Sequence, residues 1–217
     1  MGRIRTGWRR LRYRGRVDPL LREWWEDEPS IVTPGSAYTV IDCEMTGLDP
    51  NIDRILSVGW VQVREQCIQA ASARHFIVQS DASVGQSATI HMIRDCELQD
   101  GAVLHDVLRT LFEDSAGTTP VFHHGDLDLA FLNRACSALL GGGWWPQFVD
   151  TLAIEKRRIT RASDIPKAGA LTLGESRSRY GLPPYLGHNA LIDAWATAEL
   201  LLAQIKKGAT LSPLWSN

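Results

Sequence analysis

Tyr38-Thr-Val-Ile-Asp-Cys-Glu-Met-Thr-Gly-Leu-Asp-Pro50 sets two carboxylates, Asp42 and Glu44, two residues apart at the end of an apolar, β-prone run. In a strand, residues i and i+2 point to the same face, so both acids project together from the edge of a core. Burying ionised groups without a partner is costly, and setting like charges side by side raises the cost. A divalent cation shared between the two carboxylates removes both penalties, and hard oxygen donors point to magnesium or manganese. The alternative for this segment alone is a pair of strand-end residues turned out into solvent.

Two further segments carry acids in comparable settings. Gly187-His-Asn-Ala-Leu-Ile-Asp-Ala-Trp-Ala-Thr-Ala-Glu-Leu-Leu-Leu-Ala203 supplies His188 and Asp193 around the start of a helical stretch, and Pro120-Val-Phe-His-His-Gly-Asp-Leu-Asp-Leu-Ala-Phe-Leu132 runs from a short strand into a helix and carries Asp128. Asn189 is a favourable N-cap residue. A helix starting there puts Asp193 in its first turn and leaves His188 just outside, on a more mobile connection.

In this order the three segments resemble the three motifs of the DEDDh 3′–5′ exonucleases, the family that includes the proofreading subunit of bacterial replicative DNA polymerase. Five positions match: Asp42 and Glu44, Asp128, then His188 and Asp193. A His followed five residues later by Asp-Ala marks the His-containing branch. Ile90-His-Met-Ile93, Phe148-Val-Asp-Thr-Leu152 and Tyr180-Gly-Leu-Pro183 are similar to weaker family elements, so the resemblance covers roughly residues 38 to 205. Two departures stand out. The second motif has His123-His124-Gly125 where the family usually has His-Asn-Ala, and Glu44-Met-Thr-Gly-Leu-Asp-Pro50 looks more like the first motif of oligoribonucleases.

The resemblance implies a ribonuclease H-like fold and removal of nucleoside monophosphates from the 3′ end of a single strand by a two-metal scheme, with two magnesium or manganese ions. In that scheme cations about 3.5–4 Å apart clamp the attacking and leaving oxygens of an in-line displacement. It further implies that Asp42 bridges both ions, Glu44 and Asp193 hold the one that carries the nucleophilic water, and Asp128 supports the other. His188 takes the proton of the water, and its ordinary pKa near 6.5 suits a base at neutral pH. Met45, Thr46, Leu48 and His91 are the expected contacts to the terminal nucleotide. The substrate reading divides between DNA and RNA: the His188 motif favours a proofreading or end-trimming DNA exonuclease, and the Glu44-Met45 motif an exoribonuclease. A non-catalytic nucleic-acid scaffold on the same fold would need a broken constellation, and all five positions are intact.

Composition sets the outer bounds. With 217 residues, 44% hydrophobic and 22% charged, the chain has the composition of a soluble globular protein with one well-buried domain. No run approaches the length of a membrane span, and the start lacks the apolar core of a signal peptide. Cys43, Cys67, Cys96 and Cys136 show no zinc-type spacing and read as reduced thiols of a cytoplasmic protein. Adjacent strand residues face opposite ways, so His123 and His124 do not readily ligate one ion. Asp49, Asp53, Asp126 and Asp150 read as turn or capping residues.

Charge is unevenly spread. Residues 1 to 17 hold seven arginines and no acid, leaving −9 for the rest of a chain whose net charge is −2. An acidic body suits a site built from carboxylates and argues against bulk coating of duplexes. The arm, with Trp8 and Tyr13 among its arginines, is open to three roles: a solvated tail, a nucleic-acid contact, or a targeting segment or contact for a protein such as a DNA polymerase. Residues 18 to 30 read as a short amphipathic helix with Leu20, Leu21, Trp24 and Trp25 to one side, docked rather than displayed.

The expected organisation is an extension over residues 1–36, an exonuclease domain over 37–207 and a tail over 208–217. Pattern predicts strands near 37–43, 55–64, 68–79, 119–124 and 147–150, and helices near 99–113, 127–140, 151–157, 170–180 and 189–207. Arg157 to Gly169 reads as a loop close to the site. The result is an α/β fold, a mixed five-stranded sheet flanked by helices.

Overall fold

The computed structural model describes residues 12–13, 15–28, 32–33, 35–80, 95–161 and 166–215. The segment quoted above forms β1 (Tyr38–Met45), which continues through β2 (Ile55–Arg64) and β3 (Cys67–Ile77) as an antiparallel meander. Strands β4 (Thr119–Phe122) and β5 (Gln147–Asp150) then run parallel to β1 on its other side. All five expected strands form. A two-residue β6 (Leu214–Trp215), from the segment expected as a tail, pairs antiparallel with β5 and completes the order β3-β2-β1-β4-β5-β6.

Helices cover both faces. They are α1 (Pro19–Asp27), α2 (Asp95–Gln99), α3 (Leu104–Ser115), α4 (Gly125–Leu139), α5 (Thr151–Arg161), α6 (Leu173–Ser178) and α7 (Ala190–Lys206). The period-2 alternation of β1 divides the core. Tyr38 and Val40 face Ala198 and Leu201 of α7 together with Val61, Val63, Val121 and Val149. Ile41, Cys43 and Met45 join Leu108, Leu111 and Phe112 of α3 and Leu129 and Leu132 of α4. Asp42 and Glu44 therefore continue the α7-facing row of Tyr38 and Val40.

The approach of α7 to the sheet depends on Gly59 of β2, which pairs with Asp42. A Cβ at Gly59 would lie 2.3 Å from the Leu191 amide nitrogen and 2.4 Å from the Ala190 carbonyl carbon. Only a residue without a side chain lets the first turn of α7 touch the sheet there.

Element boundaries differ from expectation where tertiary contacts intervene. The helix expected from 99 starts at Leu104, because Gly101 and Ala102 return to the sheet edge: Ala102 donates to the Ile77 carbonyl, and a Cβ at Gly101 would meet Gln79 backbone at 2.6 Å. The loop expected from Arg157 is helical to Arg161, with Arg158 paired to Glu155 one turn back. β4 stops at Phe122, so His123 and His124 lie beyond the strand, and the helix expected over 170–180 shortens to α6.

The helix expected near residues 18 to 30 is α1. Asp18 caps it by accepting from the Leu20 amide and pairs with Arg109 at 3.1 Å. Leu21, Trp24 and Trp25 are buried; the Trp24 indole donates to Ser115 Oγ at 3.0 Å and lies edge-on to Trp144. Cys43 and Cys136 are buried free thiols and Cys67 is an exposed one. Among the described residues no helix is long and apolar enough to cross a membrane.

Candidate active site and metal centre

The carboxyl ends of the parallel strands β1, β4 and β5 lie side by side, and the acids collect there. Asp42 and Glu44 end β1, and Asp193 comes from the first turn of α7 over the same face. One oxygen from each of these three residues lies within 4.8 Å of the others. Glu44 and Asp193 are buried and Asp42 is half-buried. The group forms the floor of a cavity of about 490 Å³ that is also lined by Cys43, His123, Thr172 to Gly174, Tyr185, Gly187 and His188. No lysine or arginine is among the described residues of that lining.

Asp128 arrives from the opposite side, in the first turn of α4, and is buried. Its Oδ1 accepts the Cys43 amide at 3.1 Å, which ties the second acidic segment to the backbone between Asp42 and Glu44. It does not share the oxygen cluster of the other three. Electrostatics link all four. Asp42 is held well above the usual carboxylate range by burial first, then by the charges of Asp128, Asp193 and Glu44. Burial pushes Asp128 up to about 7, with Asp150 and Glu44 adding to the rise and the Cys43 amide opposing it. Asp193 is raised by burial and by Glu44, against the Tyr185 hydroxyl and the His188 and Asn189 amides. Asp42, Asp128 and Asp193, with raised affinities for protons, join Glu44 in a donor set of hard oxygens that fits a divalent metal.

Asn189 caps α7 by accepting from the Leu191 and Ile192 amides at 3.1 and 3.2 Å. Asp193 Oδ2 reaches back to accept from the His188 amide at 2.7 Å and the Asn189 amide at 3.1 Å. That double contact holds His188 in the left-handed region, φ +68°, with its side chain exposed at the cavity mouth. A non-glycine residue there carries backbone strain. His188 thus lies immediately before the helix, as the N-cap signal implies.

His123 is committed elsewhere. Its Nε2 donates to the Leu171 carbonyl at 2.9 Å and its Nδ1 meets Thr151 Oγ1 at 2.8 Å, while burial lowers its pKa. With both ring nitrogens occupied, the side chain clamps the 171–174 wall to β4 and α5 and is not a metal ligand. His124 points elsewhere, exposed and left-handed at the start of α4. Asp150 accepts from Leu152 and His124 amides, and Asp49 and Asp53 bind turn amides, so these three serve as caps and turns.

The expected nucleotide contacts divide. Met45 is buried in the α3–α4 core; Thr46 bonds Asp53 at 3.0 Å and the Arg54 amide within the turn; Leu48 is 76% exposed. None of the three lines the cavity. His91 lies outside the described residues.

Sequence reasoning missed Tyr185. Its hydroxyl lies beside Asp193 in the cavity lining, and its ring lies 5.0 Å from the guanidinium of Arg177. Arg177 is almost wholly buried, paired with Glu199 at 2.7 Å and bonded to the Ala196 carbonyl. The only signal is Pro183-Pro184 just before it, which forces extended backbone but does not single out the tyrosine.

The family model described as Exonuclease (RNase_T) matches residues 39–201. The chain is similar to the PolC-type DNA polymerase III of Thermotoga maritima, 28% identical over 188 residues, which are 86% of this chain and 13% of that protein. It is also similar to the 3′-5′ exonuclease DinG of Staphylococcus aureus, 24% identical over 173 residues, 79% of this chain and 18% of that protein. The chain thus spans only 13–18% of the length of these curated relatives. Among solved structures, the nuclease domain of 3′hExo, a DEDDh family member bound to rAMP, superposes with TM-score 0.70 at 15% identity, covering 82% of this chain and 96% of that one. E. coli Exonuclease I in complex with a dT13 oligonucleotide superposes with TM-score 0.61 at 15% identity, covering 80% and 42%. At these identities the likeness is one of fold.

Proposed function

The chain belongs to the RNase_T exonuclease family, and on that premise we propose that it is a metal-dependent 3′–5′ exonuclease releasing nucleoside 5′-monophosphates from single-stranded DNA. The observation that carries this reading is the convergence of Asp42, Glu44 and Asp193 oxygens within 4.8 Å in a cavity without a cationic side chain. A structural role for three such acids would leave their repulsion uncompensated. In this reading Asp42, Glu44, Asp128 and Asp193 would hold two magnesium or manganese ions. When bound, such ions acidify water and neutralise charge on the phosphoryl oxygens.

The residues of the chain do the rest. His188, at the mouth, takes the proton of the attacking water as the new P–O bond forms. The P–O3′ bond to the penultimate sugar breaks, and the departing O3′ takes a proton from solvent, leaving a 3′-hydroxyl on the shortened strand and a nucleoside 5′-monophosphate. The Asp193 contacts to the His188 and Asn189 amides couple base and metal ligand, so that one turn of α7 orients both. The half-enclosed cavity with the Thr172–Gly174 wall shields the reaction from bulk water.

DNA is preferred over RNA for two reasons. Met45, the residue that recommended an RNA substrate, is buried in the core and does not touch the cavity. Two relatives, at 28% and 26% identity, carry the name of a DNA polymerase. Residues 37–207 are proposed as the exonuclease unit and 1–36 as its extension. Because α1 is docked through Leu21, Trp24 and Trp25, a polymerase or other partner would be met by the arginine-rich arm that precedes it.

The test is hydrolysis of matched single-stranded DNA and RNA in manganese, with products separated chromatographically. The proposal requires nucleoside 5′-monophosphates, faster release from DNA, and slow turnover with retained manganese binding in His188→Ala. Internal oligonucleotide products, or unchanged metal affinity in Asp42→Ala, would refute it.

A further inference from the structure

A second cavity, of about 500 Å³, lies between the C-terminal ends of α5 and α7. One face of α5 lines it with Ile154, Arg157, Arg158 and Arg161, the i, i+3, i+4, i+7 pattern of a single helix face. Lys207 and Tyr180 also line it. Four cations around one cavity are unexpected in a chain with net charge −2.

Local structure does not use up this charge. The buried Glu155 is shared by Arg158 at 2.7 Å and Arg179 at 2.6 Å, so it is already outnumbered. Among the described residues no carboxylate pairs with Arg157, Arg161 or Lys207; Arg157 reaches only the Thr210 carbonyl, at 3.5 Å. Cations at a helix C-terminus often serve the terminal carbonyls. For Lys207 that role is taken, since the last carbonyls of α7 are met by backbone: the amides of Lys207, Gly208 and Ala209 donate to Ala203, Ile205 and Gln204. An independent observation marks the floor. Gln204 is fully buried and donates to the Thr151 carbonyl, but its Oε1 has no partner.

We propose that this cavity is a second contact for the nucleic-acid strand, with Arg157, Arg161 and Lys207 holding its phosphates while the 3′ end occupies the acidic cavity. The proposal rests on the exonuclease reading. Thr151, at the start of α5, bonds His123 of the acidic cavity. Ten residues of helix carry the chain from there to Arg161, about 15 Å at 1.5 Å per residue, a distance that a few nucleotides of single strand span. The acidic site repels the polyanion it must accept, and a cationic contact at this distance offsets that repulsion.

The test compares the full chain with the triple variant Arg157→Gln/Arg161→Gln/Lys207→Gln. In chelator, where no cleavage occurs, fluorescence anisotropy with a labelled 20-nucleotide single strand gives Kd against salt. Three lost phosphate contacts should flatten the slope of log K against log salt by about 2, at roughly 0.7 per contact for single strands. In manganese, KM for the 20-mer should rise while kcat, and hydrolysis of a dinucleotide too short to reach α5, stay unchanged. Arg161→Glu alone should weaken 20-mer binding further than Arg161→Gln. Unchanged slope and KM in both variants would overturn the proposal, as would equal loss on dinucleotide and 20-mer. If wild-type protein hydrolyses neither length, the exonuclease reading fails, and the anisotropy arm still decides whether this cavity binds a strand.

Discussion

At the scale of single residues, the site is a set of acids whose repulsion is managed by a few hydrogen bonds. Tyr185 sets its hydroxyl beside Asp193 while its ring rests on the buried Arg177. Partners of this kind orient metal ligands, and their loss typically costs about 10–100-fold in metal affinity or activity. Tyr185→Phe keeps the ring on Arg177 and should weaken manganese binding about 10-fold with little change in Tm, measured by calorimetry. The raised carboxyls also set a pH dependence. Asp128 at about 7 in the folded chain, and Asp42 above the usual range, hold protons that the unfolded chain has already released. The penalty is absent below the unfolded pKa near 4 and fully developed above about 7. Metal-free protein should therefore lose stability as pH rises from about 5 to about 8, and manganese should raise Tm more at about 8 than at about 5; the reverse order would contradict the ligand set. The placement of Asp42 and Glu44 at a strand end, and of Asp193 in a first helical turn with His188 just before it, was legible from spacing and the Asn189 cap; Asp128 was singled out by the resemblance alone. Tyr185 was not, since its contact with Asp193 arises only when the chain after α6 folds back over α7.

At the scale of elements, the site depends on how closely α7 approaches the sheet. Gly59 makes that approach possible, with Leu191 backbone 2.3 Å from where a Cβ would be. Gly59→Ala must push the helix start away, separating Asp193 from Asp42. The expected cost is about 1–3 kcal/mol of overpacking, read by denaturant unfolding, with a loss of metal affinity larger than the stability loss alone would give. Patterning revealed the strands well, because β1 alternates between two cores and β2 and β3 meet at a two-residue turn, Glu65 and Gln66, both with positive φ. It failed for the helix expected at 99, where the return of Ala102 to the edge of β3 overrides local propensity. It failed also after Arg157, where a charge-rich stretch read as loop is held helical by Glu155. In both cases the deciding contact is tertiary and leaves no local periodicity.

At the scale of the whole molecule, α1 packs against residues distant in sequence, with Trp24 against both Phe112 and Trp144. Trp24→Ala should destabilise the fold by about 3–5 kcal/mol in thermal or urea unfolding, while metal affinity per folded molecule is unchanged. The four tryptophans at 24, 25, 144 and 145 are all buried, yet sequence alone could not tell which ones meet. The charge distribution is the other global feature: an acidic cavity at the strand ends and a cationic one at the far end of α5. The central claim is that the acidic cavity removes nucleotides from a 3′ end through bound metal. The most direct measurement is a time course on a 5′-labelled single-stranded oligonucleotide with wild type and Asp42→Ala, in manganese and in chelator. The account predicts a ladder shortening stepwise from the 3′ end with wild type in manganese alone. An intact oligonucleotide in every lane, or the same ladder from Asp42→Ala, would contradict it.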